Sequence, residues 1–237
     1  MTAALAGGGT LFKLLAAGKA LTLVSALGSF GLYALYFRNP MTAAGLVAMI
    51  LVHEMGHVVE IRRQGMTATA PVFIPFFGAA IFQRSRPLDA LRQAQIGIAG
   101  PIAGTLGATA AFVLYRATGL SFLLGWAWIG FLINLINLAP LGMLDGGWIL
   151  GAVSKWFHLL GLALLALTTV FLGLSPVFII LVLAIGFPAI MERFANDRAP
   201  YYQSVPAGAR LALGAAWLGL VSYLVAFLVQ ASQLIRG

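Results

Sequence analysis

The chain has 237 residues, of which 61% are hydrophobic and only 8% charged. A soluble domain carries about a quarter charged residues, so this composition leaves too little polar surface to face water and excludes a soluble globular fold. Lys and Arg outnumber Asp and Glu by 14 to 6, a net charge of +8. The basic residues stand singly or in pairs between apolar runs, without a basic stripe or stacking aromatics. They read as loop charges flanking membrane spans, and nucleic acid is set aside as a partner. There is no cysteine, so disulfides and thiolate metal sites are excluded. Any metal must be held by His, Asp or Glu.

Apolar runs of the length that crosses a hydrocarbon core predict about seven spans, near 20–37, 41–61, 93–115, 121–140, 156–173, 175–190 and 209–234. The fifth and sixth are short and meet at a tight Gly173–Pro176 turn, so the count is six or seven. The start, Met1 to Thr10, is small and uncharged, without the basic head and cleavage site of a secretory signal. Leu21 to Phe37 then serves as an uncleaved first span. The predicted fold class is an all-α polytopic membrane protein with about 6–7 transmembrane helices. No linker or internal repeat divides the chain, which reads as a single integral-membrane domain over 1–237, embedded in a lipid bilayer.

The second span contains His53-Glu54-Met55-Gly56-His57. On a helix, positions i and i+4 share one face with Cβ atoms about 5–6 Å apart, a spacing that suits two imidazoles on one metal ion. Glu54 lies about 100° further round, where it reaches a water held by that ion rather than the ion itself. Two ligands and a general base are what metal-assisted hydrolysis needs. The bland alternative is a pair of packed, hydrogen-bonded helix histidines. Against it, the chain holds only three histidines and three glutamates, and ionisable groups inside a span are costly and mark function. Glu60, near the end of this span and beside Arg62 and Arg63, reads as an interfacial carboxylate paired with an arginine.

Next comes TAPVFIPFFGAAIFQ at Thr69–Gln83, apolar and broken by Pro71, Pro75 and Gly78. It is too short to cross as a helix and predicts a strand pair or a re-entrant segment, tolerated only where protein or water covers its backbone. The fourth span ends in Asn137-Leu138-Ala139-Pro140-Leu141-Gly142-Met143-Leu144-Asp145-Gly146-Gly147, where Pro140 and three glycines predict an unwound end. A catalytic zinc takes three protein ligands and leaves one position open. Of the six acidic residues, Asp89, Glu192 and Asp197 sit among basic loop residues and read as solvated. Asp145 has no cation beside it in sequence, and a metal ion would satisfy it. His158, just after Lys155, is the alternative third ligand. Asn137 is a candidate for supporting substrate or an oxyanion, and Asn134 a weaker one. Both also suit plain interhelical hydrogen bonding.

With the N-terminus inside, eleven of the 14 basic residues fall on the inner side and three, Arg38, Arg116 and Arg236, outside. The positive-inside rule therefore predicts a cytoplasmic N-terminus. It also places His57 and Asp145 at similar depth, toward the cytoplasmic side.

The two motifs together resemble the site-2 protease family of intramembrane zinc metalloproteases. Phe73–Ala79 (FIPFFGA) and Gly100–Gly104 (GPIAG) are similar to that family's strand segment and middle core helix. The resemblance covers about residues 41–155. It implies that His53, His57 and Asp145 bind one Zn2+ per chain, that Glu54 activates water, and that the substrate is a transmembrane segment of another protein. Many relatives carry an inserted PDZ domain or a C-terminal CBS pair, for which this chain has room for neither, and the middle-helix motif often has Asn where Gly104 stands here. Compact size and short loops point to a bacterial or archaeal cytoplasmic membrane. Two rivals remain: a transporter, and a non-proteolytic membrane scaffold retaining a zinc site.

Overall fold

The computed structural model describes residues 3–76, 78–81, 86–172 and 176–236. The expected turn at 173–175 and parts of the 69–83 stretch, Phe77, Phe82 and Gln83, lie outside the described residues. The elements are, in order, α1 (Ala3–Phe37), α2 (Pro40–Arg63), β1 (Val72–Ile74), β2 (Gly78–Ala80), α3 (Ala90–Thr118), α4 (Ser121–Asn137), α5 (Asp145–Val153), α6 (Phe157–Leu172), α7 (Pro176–Ala195), α8 (Pro200–Gln203) and α9 (Ala207–Arg236).

Among the described residues four helices are long and apolar enough to cross a membrane: Ala20–Phe37, Pro40–Arg63, Ala90–Thr118 and Ala207–Arg236. Ser121–Asn137 and Phe157–Phe171 are shorter apolar helices, so the count of six or seven spans is not reproduced. The helical membrane class holds. The fourth span ends at Asn137 rather than 140, and its continuation is the separate helix α5. Pro140 lacks the N–H to extend α4 and its ring crowds the preceding turn, so the chain leaves the helix at Leu138 and starts again at Asp145.

Local chemistry sets the helix ends. Asn39 caps α2, its Oδ1 accepting from the amides of Met41 (3.0 Å) and Thr42 (3.2 Å), with Pro40 in the first turn. Asp89 caps α3 through the Arg92 amide (2.8 Å), and Gly119, at φ +72°, closes it in the left-handed conformation that glycine adopts freely.

Helix α3 is the centre of the bundle, packed against α2, α4, α5 and α9. Small residues allow this. An added Cβ at Gly56 of α2 would overlap the Ala99 carbonyl of α3, and one at Gly97 would press on the Asp145 carbonyl and Trp148 at 3.3 Å. In a bilayer, helices gain little from burying apolar surface and much from such close backbone approach. Aromatic packing of Phe112, Phe131 and Phe227 joins α3, α4 and α9, with centroids 5.6–6.3 Å apart.

The 69–83 stretch contains the expected strand pair. Strands β1 and β2 are antiparallel, in the register Val72↔Ala80, Phe73↔Ala79 and Ile74↔Gly78. The hairpin is tied to α1: the Phe73 amide donates to Ser25 Oγ (3.1 Å) and the Phe76 amide to the Tyr33 hydroxyl (2.9 Å).

Candidate metal centre

Helix α2 carries His53 and His57 one turn apart, and α5 begins with Asp145. All three are buried, at 4%, 7% and 6% exposure. His53 Nε2 and His57 Nε2 stand 3.2 Å apart, His53 Nε2 is 3.1 Å from Asp145 Oδ2, and His57 Nε2 is 3.3 Å from Asp145 Oδ1. The two imidazole nitrogens thus face each other, and each also faces a different oxygen of the Asp145 carboxylate. Tetrahedral zinc with bonds of about 2.0–2.1 Å spaces its ligand atoms about 3.3 Å apart, so the 3.2 Å between the two imidazole nitrogens suits two ligands of one ion, with a carboxylate oxygen at similar range from each.

The remaining ring nitrogens show why these atoms converge. His57 Nδ1 lies 2.8 Å from the Ile96 carbonyl of α3. A carbonyl only accepts, so Nδ1 carries the hydrogen and a neutral His57 presents a lone pair at Nε2. His53 Nδ1 lies 2.9 Å from Asn134 Oδ1, with the same consequence. Two imidazole lone pairs and a carboxylate then face one another, and Asp145 Oδ2 has no hydrogen-bond partner despite its burial. Such an arrangement is costly unless a cation fills it. A single proton would serve one pair of these atoms, whereas a divalent ion serves both nitrogens and the carboxylate. The residues present fit zinc, and they form a group of metal-ligating side chains.

Glu54, adjacent to His53 in sequence, is 9% exposed. No hydrogen bond joins it to the three ligands among the described contacts, in keeping with a group held beside the site rather than in it.

Helix α5 is held at its other end by arginines. Arg193 Nε donates to the Gly151 carbonyl (2.7 Å), and Arg210 Nη1 to those of Ala152 (2.8 Å) and Val153 (2.6 Å). The last carbonyls of a helix lack partners within it, and cations there also complement its dipole. Arg193 is itself buried, stacked 3.9 Å from the Tyr202 ring centroid and paired with Asp197 at 2.8 Å. The segment 138–144 is held as well. Trp217 of α9 donates to the Leu138 carbonyl (2.8 Å), and His158 Nδ1 lies 3.3 Å from the Pro140 carbonyl. Pro140 strands carbonyls that an uninterrupted helix would pair, and these two side chains take them up.

His158 therefore braces the break and stands outside the group of His53, His57 and Asp145, in which Asp145 is the third side chain able to ligate a metal. Asn137 sends its Nδ2 to the Ile133 carbonyl of its own helix (3.0 Å). Asn134, ranked below it from sequence, is the asparagine that meets a ligand. Asp89, Glu192 and Asp197 are each engaged: Asp89 caps α3, Glu192 pairs with Arg86 at 2.8 Å, and Asp197 pairs with Lys155 at 2.8 Å as well as Arg193. Glu60 pairs with Arg63 at 2.8 Å, as its position beside the arginines predicts.

No family model matches the chain. Among curated proteins it is similar to a probable chloroplastic zinc metalloprotease, EGY2, of Oryza sativa, from both subspecies indica and japonica. The match is 29% identical and covers 71% of this chain and 39% of each relative. The protein of the same name from Arabidopsis thaliana is 27% identical, with 65% of this chain and 39% of the relative covered. The chain spans about two fifths of the length of these relatives. Their names, probable zinc metalloprotease, agree with the metalloprotease resemblance and with the expectation of zinc that came with it. They are plant chloroplast proteins and lend no support to a bacterial or archaeal source, nor to the assigned orientation.

Proposed function

We propose that this chain is the membrane-embedded catalytic unit of a zinc metalloprotease that cuts transmembrane segments of other proteins. The reading rests on the convergence of His53 Nε2, His57 Nε2 and the Asp145 carboxylate, brought together by two helices from distant parts of the chain. Three protein ligands leave a fourth position open, which separates a catalytic site from a closed structural one.

Zinc held there supplies Lewis-acid chemistry, polarising a water and the scissile carbonyl. Glu54 takes the water's proton and later delivers it to the leaving amine. His53, His57 and Asp145 keep the site compact, and the bundle around α3 keeps bulk water from it. Asn137, partly buried near the end of α4 with its Nδ2 bonded to Ile133, leaves its Oδ1 for an unwound substrate backbone. The chain acts as a single integral-membrane unit over 1–237, its catalytic part about 41–155, with the N-terminus and the site toward the cytoplasmic side. In support of that orientation, basic residues assigned inside gather at one end of the bundle: Arg86, Lys155, Arg193 and Arg210 all engage partners around the C-terminal end of α5 and helices α7 and α8.

A helical substrate hides its carbonyls, so cleavage requires local unwinding, and an unwound segment can add to a sheet edge. The β1–β2 hairpin offers such an edge, although Ser25 and Tyr33 already hold the Phe73 and Phe76 amides. Deleting 73–81 should abolish cleavage and spare zinc binding; full cleavage by that variant would remove the hairpin from the mechanism.

The deciding experiment is Glu54→Gln. A protease keeps its zinc and loses about 10²–10⁴-fold in cleavage, the share that proton transfer contributes. A scaffold with structural zinc keeps both metal and function.

A further inference from the structure

Asn134 is the least exposed polar residue among the described residues, at 0%. An amide sealed inside a membrane helix costs free energy unless every polar atom is paired. Its Nδ2 donates to the Gly130 carbonyl at 2.7 Å and its Oδ1 meets His53 Nδ1 at 2.9 Å. Only one orientation works. A flipped amide would set Oδ1 against the Gly130 carbonyl, two acceptors face to face. The Gly130 bond therefore points Oδ1 at His53, and His53 must donate from Nδ1.

The second half of the device is on another helix. An added Cβ at Gly104 of α3 would overlap both the Oδ1 and Nδ2 atoms of Asn134. Any side chain at position 104 would push the amide off His53. A glycine there and an asparagine at 134 are one arrangement, shared between α3 and α4.

The two histidines are thus set by different means. His57 is oriented by a backbone carbonyl, Ile96, that no substitution removes. His53 is oriented by a side chain alone. We infer that Asn134, seated in the space that Gly104 leaves, is the positioning residue that fixes the tautomer and angle of His53 and sets how tightly the centre holds its metal. The inference rests on the zinc reading above. It concerns metal retention rather than peptide cleavage, so a chain that binds zinc and cuts nothing would leave it standing.

The experiment measures zinc affinity of the full chain in detergent by competition with a chelator, alongside melting of the metal-free protein. Partners that orient a ligating imidazole are worth about 10–100-fold in affinity. Asn134→Leu, close in shape and without an acceptor, should weaken zinc by that factor. Asn134→Asp, which keeps an oxygen facing Nδ1 and, buried in its neutral form, donates from its second oxygen to the Gly130 carbonyl in place of Nδ2, should hold zinc far better than Asn134→Leu. Gly104→Ala should reproduce the loss from the neighbouring helix. The double variant Gly104→Ala/Asn134→Ala should bind zinc as Asn134→Ala does, because the clash has nothing left to displace; the failure of the single effects to add is the signature of one shared device. The absorption bands of cobalt(II) in place of zinc should change in Asn134→Leu and not in Asn134→Asp. Wild-type affinity in Asn134→Leu overturns the inference, as do fully additive losses in the double variant. If Asn134→Leu fails to fold, Gly104→Ala and the double variant decide alone. Should His53→Ala bind zinc normally, it is the zinc reading itself that falls.

Discussion

Gly100→Ala tests the geometry of the centre with a single methyl group. Gly100 lies on α3 directly over His57. A Cβ built there overlaps His57 Nε2 and Cε1 and comes within 2.9 Å of Cδ2. Non-bonded carbon and nitrogen settle at about 3.5 Å or more, so the imidazole must retreat by about 1 Å. Zinc–ligand distances tolerate only about 0.2 Å. The backbone of α3 cannot give way, because Gly56 of α2 already lies against the Ala99 carbonyl. The ring therefore leaves the metal and also loses its bond to Ile96. Zinc affinity should fall by about 100-fold or more, beyond the loss of a supporting residue alone. The added strain should cost about 1–3 kcal/mol of stability, as overpacking does. Gly107→Ala is the control: the same helix and the same methyl, but its neighbour is Val52 Cγ1 at 3.0 Å, a side-chain tip with room to turn. Chelator competition on both variants, with helicity checked by circular dichroism, gives the answer. If Gly100→Ala retains wild-type zinc affinity in a folded protein, His57 is not held where the structure puts it.

Three further outcomes follow from the same contacts. Asp145→Ala should leave the purified chain without stoichiometric zinc, and metal content equal to wild type would remove Asp145 from the ligand set. Trp217→Phe strips the donor from the Leu138 carbonyl. An unpaired buried carbonyl costs about 1–3 kcal/mol, so the melting temperature should drop and zinc should loosen with the segment leading to Asp145; an unchanged melt would show that α9 does not brace the break. Asp197 is held below the usual carboxylate range by Lys155 first and then Arg193. A carboxyl lowered in the folded state adds stability above its unfolded value, near 3.8, and that contribution vanishes as pH falls through the lower folded value. Melting followed from pH 7 to pH 3 should therefore show a loss below about pH 4 that Asp197→Asn lacks; parallel curves for both proteins would contradict the pairing.

The grouping of His53, His57 and Asp145 was legible because these residue types are scarce. With three histidines and six carboxylates among 237 residues, a His-Glu-x-x-His in a span and an unpaired Asp145 after a proline break stand out. Helical periodicity then places both histidines on one face. The hairpin was legible for a similar reason: Pro71, Pro75 and Gly78 forbid a helix in a run too short to cross. The span count was less so. Hydropathy averages over a window and cannot locate where Pro140 stops α4, so 121–140 merged a helix ending at Asn137 with the loop beyond it. Arg193 and Arg210 read as solvated loop charges, because nothing local shows that α5 will bring its open carbonyls to them.

Asn134 and Asn137 mark the boundary most clearly. Both are asparagines on one apolar helix, three residues apart, and composition and spacing treat them alike. Their fates differ because His53 is 81 residues from Asn134 in sequence and 2.9 Å away in space, while Asn137 turns back on its own helix. By itself the sequence determined the class, the bilayer setting and the kinds of ligand, since these follow from residue type and short-range period. Only the tertiary structure decided which asparagine lies against His53, why positions 100 and 104 leave no room for a side chain, and what holds α5 in place. Those depend on the distance between helices, and backbone approach across an interface leaves no trace in the period of any one of them.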